Sequence, residues 1–189
     1  MAYTVSEDYR QKKMALLVKD FNSVVDVGCA DKPNYFLKNP FVLGLDIRQT
    51  KLPDNYSKFL RGTIEELKEE GQTFDALIAG ELIEHLPDPI SFLRNCSNVI
   101  ASEGVIVLST PNPHSPIELL LNITLSKRFF YSNDHIMLFP QRWLIRMLEM
   151  SGFKKVKLFS GGFPIPFLGL IPFPRFCCYQ TIATGIKAS

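Results

Sequence analysis

Apolar residues fall along this chain in short runs, separated by polar breaks that carry glycine or proline. Ser23-Val-Val-Asp-Val27 and Phe41-Val-Leu-Gly-Leu-Asp46 are runs of β-forming residues. They are too short for helices and too continuous for strands with one wet face, which predicts buried parallel strands. Phe74–Ala79 and Gly104–Ser109 predict two more, and Ser57–Leu60 a shorter one. Between these runs the period changes. Ser6–Lys19 sets Met14, Leu16 and Leu17 against charged positions and predicts a first helix. Thr63-Ile-Glu-Glu-Leu-Lys opens a second, ended by Gly71. Asp88 as N-cap and Pro89 in the first turn start a third. Gln141–Ser151 reads as a fourth, stopped by Gly152, and Lys154–Phe159 and Cys178–Lys187 read as closing strands.

Strands alternating with helices at this spacing predict an α/β fold. The expected form is Rossmann-like and doubly wound, a mostly parallel seven-stranded sheet with helices on both faces. All 189 residues read as one domain, with apolar insertions near 114–135 and 160–176. The first run ends in Gly28-Cys29-Ala30, small residues that let a ligand approach the backbone. The second ends in Asp46, followed by Ile47. An acid at this strand end accepts hydrogen bonds from ribose hydroxyls. A dinucleotide fingerprint needs G-x-G-x-x-G, but Gly28-Cys-Ala-Asp-Lys-Pro33 lacks the second and third glycines. Asp26 stands two residues before the glycine, and suits an amine-bearing or cationic ligand better than a pyrophosphate. A nicotinamide oxidoreductase is therefore disfavoured.

Composition adds bounds. With 46% hydrophobic and 21% charged residues the chain can bury a full core. A net charge of +2, with only small clusters such as Lys154-Lys155-Val-Lys157, gives no basic stripe, so a nucleic-acid partner is not expected. Cys29, Cys96, Cys177 and Cys178 have neither zinc nor redox spacing, which predicts reduced thiols and a cytoplasmic setting. No secretory pattern heads the chain. The apolar stretch 163–174 is broken by prolines and a glycine and is not expected to span a membrane.

Asp26-Val-Gly-Cys-Ala30 followed by Gly44-Leu-Asp46 resembles the first two motifs of class I S-adenosylmethionine (SAM)-dependent methyltransferases. It departs at Ala30, where many members have glycine. Phe74–Pro89, Gly104–Asn112 and Asp134-His135 extend the resemblance over roughly residues 20–160, toward the ubiquinone-biosynthesis O-methyltransferase group. The resemblance implies SAM as cofactor and the sheet order 3-2-1-4-5-7-6. It implies contacts from Asp26, Gly28, Cys29, Ala30, Asp46 and Ile47, from Ile64 and Glu65 at the adenine, and from Gly80 and Glu81 after the fourth strand. Thr63 and Glu66 also fit a plain capping box.

Glu81, Glu84 and His85 stand at i, i+3 and i+4, so one helical turn would place them on one face. Two carboxylates and an imidazole suit Mg²⁺ or another divalent ion. E-x-x-E-H is the metal motif of some ubiquinone O-methyltransferases and of the 3′-terminal RNA 2′-O-methyltransferases. Such a metal would orient an acceptor hydroxyl and lower its pKa. The alternative is acids placed by the helix dipole and a histidine that only packs. His135 and His85 are the candidate proton acceptors. Gly80-Glu-Leu-Ile83 stands where amino-group methyltransferases carry N-P-P-Y, which favours an oxygen nucleophile. Phe129, Phe130, Phe163, Phe167 and Phe173 suggest a lid over an apolar acceptor, small or lipid-linked, or a peripheral membrane patch. The alternatives are a non-catalytic SAM or nucleoside-binding module and an RNA 2′-O-methyltransferase. Oligomeric state and acceptor stay open.

Overall fold

A computed structural model of the chain describes residues 5–69, 71–125, 135–165, 169–171 and 174–188, the side chains of 163–165 and 169–171 excepted. Helix α1 spans Val5–Leu17 and precedes strand β1, Ser23–Val27. Then come β2 (Phe41–Asp46), β3 (Lys58–Arg61), α2 (Ile64–Glu69), β4 (Phe74–Gly80) and α3 (Pro89–Val99). Next are β5 (Ile100–Pro111), α4 (Pro116–Thr124), α5 (Gln141–Met150) and β6 (Phe153–Ser160). A short hairpin of β7 (Phe163–Ile165) and β8 (Gly169–Ile171) precedes the last strand, β9 (Gln180–Lys187).

The main sheet has seven strands in the order β3-β2-β1-β4-β5-β9-β6. Pairing is parallel from β3 through β5, and β9 runs antiparallel between β5 and β6. The expected fold and strand order are both present. β1 lies between β2 and β4, so the strand order reverses beside it and a crevice opens at the strands' C-terminal ends.

Alternation along the strands sends side chains into two cores. Val25, Val27, Leu43, Leu45, Leu77 and Leu108 face α2, α3 and α5, where Leu67, Leu93 and Leu144 pack against them. Val24, Val42, Ala76, Ile78 and Val107 face α1 and the turn after it, through Met14 and Ala15 of the helix and Val18 just beyond. This second face has one helix among the described residues, because the connections 28–40 and 47–57 are irregular. Pro33 and Asn34 turn the first of them, the Asn34 carboxamide accepting from Phe36 N at 3.0 Å, and Leu37 then fills the core.

Three local expectations change. The buried face of α1 is Ser6, Arg10, Gln11, Met14 and Ala15, while Leu16 is exposed. β5 starts at Ile100 rather than Gly104, across a register shift opposite Phe74 and Ala76. The Pro-rich loop contains the β7–β8 hairpin. Of the proposed lid, Phe129, Phe130, Phe167 and Phe173 lie outside the described residues, as does the side chain of Phe163.

Candidate active site

A cleft of about 1680 Å³ opens over the C-terminal ends of β1, β2 and β4. Val27 and Gly28, Leu45 and Asp46, and Gly80 and Glu81 form its floor. Val5, Ser6, Glu7 and Arg10 of α1 make one wall. Thr63, Ile64 and Glu65 with Leu82, His85, Leu86, Pro87 and Asp88 make the other, and Ile117, Tyr179 and Gln180 close the far end, while Glu84 and His135 lie behind this lining.

Gly28 takes φ +78°, and a Cβ there would stand 3.1 Å from the Leu82 methyls, so turn and packing both ask for glycine. Asp46 is 5% exposed. One carboxylate oxygen accepts from Ala30 N at 2.8 Å, the other from Arg48 N at 2.9 Å. The oxygen that accepts from Ala30 keeps a second acceptor position for a ribose hydroxyl, while the other also faces the exposed Arg48 guanidinium, whose Nε stands 3.5 Å away and would yield to a second hydroxyl. Ile47 borders the cleft beside it and is exposed. Thr63 and Glu66 form the capping box, Thr63 N donating to the Glu66 carboxylate at 2.7 Å. Ile64 and Glu65 still line the cleft, with Glu65 accepting from Asn95 at 2.8 Å.

Asp26, Cys29 and Ala30 do not line the cleft. Asp26 lies beneath the turn, where the Tyr56 hydroxyl donates to it. Burial raises its pKa to about 7. The buried Cys29 thiol faces Gly44 and the Leu45 carbonyl, and burial pushes its pKa up. Ala30 serves through its backbone, which fixes Asp46. These three residues shape the turn from behind.

Glu81 has φ +52°, a left-handed conformation that costs a non-glycine residue about 1–2 kcal/mol. Its N–H donates to the Ser109 carbonyl at 3.0 Å. Its carboxylate accepts from the Ser109 hydroxyl at 2.9 Å and from Gln180 at 2.8 Å. Arg10, 3% exposed, donates to the same Ser109 hydroxyl at 3.0 Å and stands 3.9 Å from Glu81. A side chain at Gly80 would put its Cβ 2.7 Å from this guanidinium. Arg10 thus places one positive charge under a floor of acids. Arg10, Ser109 and Gln180 were not foreseen. The legible signal was an arginine four residues before Met14, on the apolar face of α1.

Glu81, Glu84 and His85 do not share a helical face, which corrects the expected triad. Ile83–His85 is a single 3₁₀ turn, and Glu81 precedes it in the left-handed region with its carboxylate already bound. Candidate ligand atoms of Glu84, His85 and His135 instead lie within 4.8 Å of one another. The His85 and His135 rings meet edge to face, centroids 4.7 Å apart. The segment after His135 is tied to this turn, because Ile136 and Met137 both donate to the Glu84 carbonyl. Glu84 is fully buried, and among the described residues neither carboxylate oxygen meets a donor at full hydrogen-bond geometry, although the Thr110 hydroxyl stands close enough to lower its pKa. Burial first, and then the Glu81 charge, hold its pKa well above the usual range, although Thr110 and Arg10 offset part of this. A buried carboxylate beside two imidazoles can take a proton or hold a cation.

A family model described as a methyltransferase domain matches residues 1–158. Among curated proteins, the ubiquinone biosynthesis O-methyltransferase of Neisseria meningitidis serogroup C is 32% identical over 75 residues, 38% of this chain. The match spans only 32% of that relative's length. Among solved structures, a SAM-dependent methyltransferase from Archaeoglobus fulgidus has a TM-score of 0.67 at 18% identity, with 95% of this chain and 92% of that one covered. The plantazolicin methyltransferase, solved in complex with S-adenosylhomocysteine (SAH), has a TM-score of 0.64 at 16% identity, with 98% and 83% covered. At such identities these structures establish a shared fold.

Proposed function

The chain belongs to the methyltransferase domain family, whose cofactor is SAM, and from that premise we propose that it methylates an oxygen nucleophile on a small or lipid-linked acceptor. The observation that carries the oxygen reading is the cluster of His85, in the cleft wall, with His135 and the buried Glu84 carboxylate. The cleft is also larger than the roughly 300–1,000 Å³ of a typical small-molecule site, which leaves room for an acceptor next to the cofactor.

In this reading Asp46 takes the ribose hydroxyls, Gly28 gives the nucleoside its approach, and Ile64 and Glu65 border the adenine. Glu81 is held by Ser109, Gln180 and Arg10, so it presents a fixed negative edge to the sulfonium end of the cofactor. The acceptor oxygen attacks the methyl carbon as the carbon–sulfur bond breaks. The sulfur keeps that electron pair and becomes SAH, and the acceptor's proton goes to an imidazole nitrogen of His135 or His85. Holding oxygen, methyl and sulfur in line supplies much of the rate.

The buried carboxylate and two imidazoles also fit a divalent ion, which Glu84, His85 and His135 would hold, with Glu81 behind them. A bound ion would orient the acceptor hydroxyl and lower its pKa. Transfer of labelled methyl groups from SAM to a panel of phenols tests the reading. Oxygen-methylated product is expected, reduced at least about 100-fold by His135→Ala with SAH binding retained. Chelator should abolish turnover and Mg²⁺ or Mn²⁺ restore it if the ion is used. Methylation on nitrogen, or full activity in both the variant and chelator, would overturn it.

A further inference from the structure

The far end of the cleft collects hydrogen-bond acceptors. Gln180 lines it and is 6% exposed. Its amide nitrogen donates to the Glu81 carboxylate at 2.8 Å, and a carboxylate only accepts, so the carboxamide has one orientation. The Gln180 carbonyl oxygen is buried and meets no donor among the described residues. A buried acceptor in a cleft asks for its donor from a ligand. Tyr179 stands next to it in the same lining. Asn112 joins this residue to α4: its N–H donates to the Tyr179 carbonyl at 3.1 Å, and its own carbonyl accepts from Ser115 at 2.9 Å. Ser115 caps α4 by accepting from Glu118 N at 3.1 Å. Glu118 therefore belongs to the same end. It is half-buried and has no ion-pair partner among the described residues. Burial, and then the charges of Glu81, Glu118 and Glu7, push the Tyr179 pKa up to about 12, so its hydroxyl stays neutral at pH 7. The cations nearby are taken, Lys32 by Glu7, and Arg10, which stands 3.9 Å from Glu81.

Charge and the orphaned carbonyl together select the acceptor. A carboxylate or phosphate would face three like charges. A wholly apolar molecule would leave the Gln180 carbonyl without a donor. An ammonium group brings three donors and the opposite charge, and an aromatic ring beside it adds attraction. We propose that the acceptor carries an ammonium group, seated by Glu118, Tyr179 and the Gln180 carbonyl, with its hydroxyl turned to the His85 wall. Glu118 is then a specificity-determining residue. The reaction rests on the methyl-transfer reading, whereas the binding does not. A protonated amine has no free electron pair, so the held nitrogen does not attack the methyl. The oxygen takes the methyl, the sulfur keeps the carbon–sulfur electron pair, and the hydroxyl proton goes to an imidazole nitrogen.

Calorimetry on the SAH complex tests the proposal with three phenols of similar size: tyramine, 4-ethylphenol and 3-(4-hydroxyphenyl)propionate. Tyramine should bind at least about ten-fold more tightly than the neutral phenol, and the acid most weakly. Glu118→Gln should remove most of the tyramine advantage, and Glu118→Lys should turn the preference toward the acid. Both variants should melt, and bind SAH, as the parent does. With labelled SAM the methyl should arrive on the tyramine oxygen. Equal binding of the three phenols, a preference unchanged in both variants, or methyl on the amine nitrogen would overturn the proposal. So would a loss of SAH affinity in the variants as large as the loss of tyramine affinity, since Glu118 would then serve the cofactor. Charge-selective binding with no methylated product would remove the oxygen reading alone, and methylated phenols with no charge preference would remove the ammonium seat alone.

Discussion

Asp26 shows how a single buried residue carries a testable signature. Its carboxyl is held under the glycine turn by Tyr56, and burial raises its pKa from 3.8 to about 7. A carboxyl raised on folding favours the folded state while it stays protonated. That contribution is complete below about pH 4 and is lost as the pH climbs through 7. A rise of this size corresponds to at most about 4 kcal/mol. Asp26→Asn keeps the shape without the titration, so urea denaturation of the ligand-free protein should show the variant gaining on the parent from pH 4 to 7. A constant difference would place the Asp26 carboxyl in a less costly setting. Gly28→Ala should cost about 1–2 kcal/mol and weaken SAH binding, because φ +78° and the Leu82 methyls at 3.1 Å both oppose a Cβ. At this scale the sequence marked Gly28, Asp46, Gly80 and Glu81, since glycine turns and acids at strand ends have few other uses. It did not show that Asp26 and Cys29 sit behind the turn. Side-chain direction there follows from alternation along β1 and from Tyr56, thirty positions away.

Elements were legible where the apolar period was clean. β1 and β2 fall at the bounds that pattern predicted, because both are buried on two faces. The turn at Glu81–His85 was not legible as 3₁₀, so the helical face shared by Glu81, Glu84 and His85 is absent, while Glu84 and His85 still meet, with His135 as the third group. That choice depends on Ser109 and Gln180, which capture Glu81 from distant strands. The junction of β5, α4 and β9 is another long-range device. Asn112 is fully buried, donates to the carbonyls of Phe176 and Cys178, and accepts from His114 N. Asn112→Ala should cost about 3 kcal/mol or more by orphaning these groups, as read from the urea midpoint. A cost under about 1 kcal/mol would mean that water replaces the carboxamide.

At the scale of the whole molecule, strand order decides what the cleft can bind. The reversal beside β1 brings Gly28, Asp46 and Gly80 to one edge, though they are far apart in the chain. α1 then covers that edge with the buried cation of Arg10, and the turn after β4 brings Glu84 to His135. Alternation of elements made this topology readable in advance, whereas the missing crossover helices could only be seen in three dimensions. The central claim is that this edge binds the cofactor through Asp46. Calorimetry with SAH, beside NAD as a control, tests it most directly. The parent should bind SAH and not NAD, and Asp46→Ala should lose about 1–3 kcal/mol of that affinity as ribose hydroxyls go unpaired. No heat with SAH, or equal SAH affinity in Asp46→Ala, would contradict it.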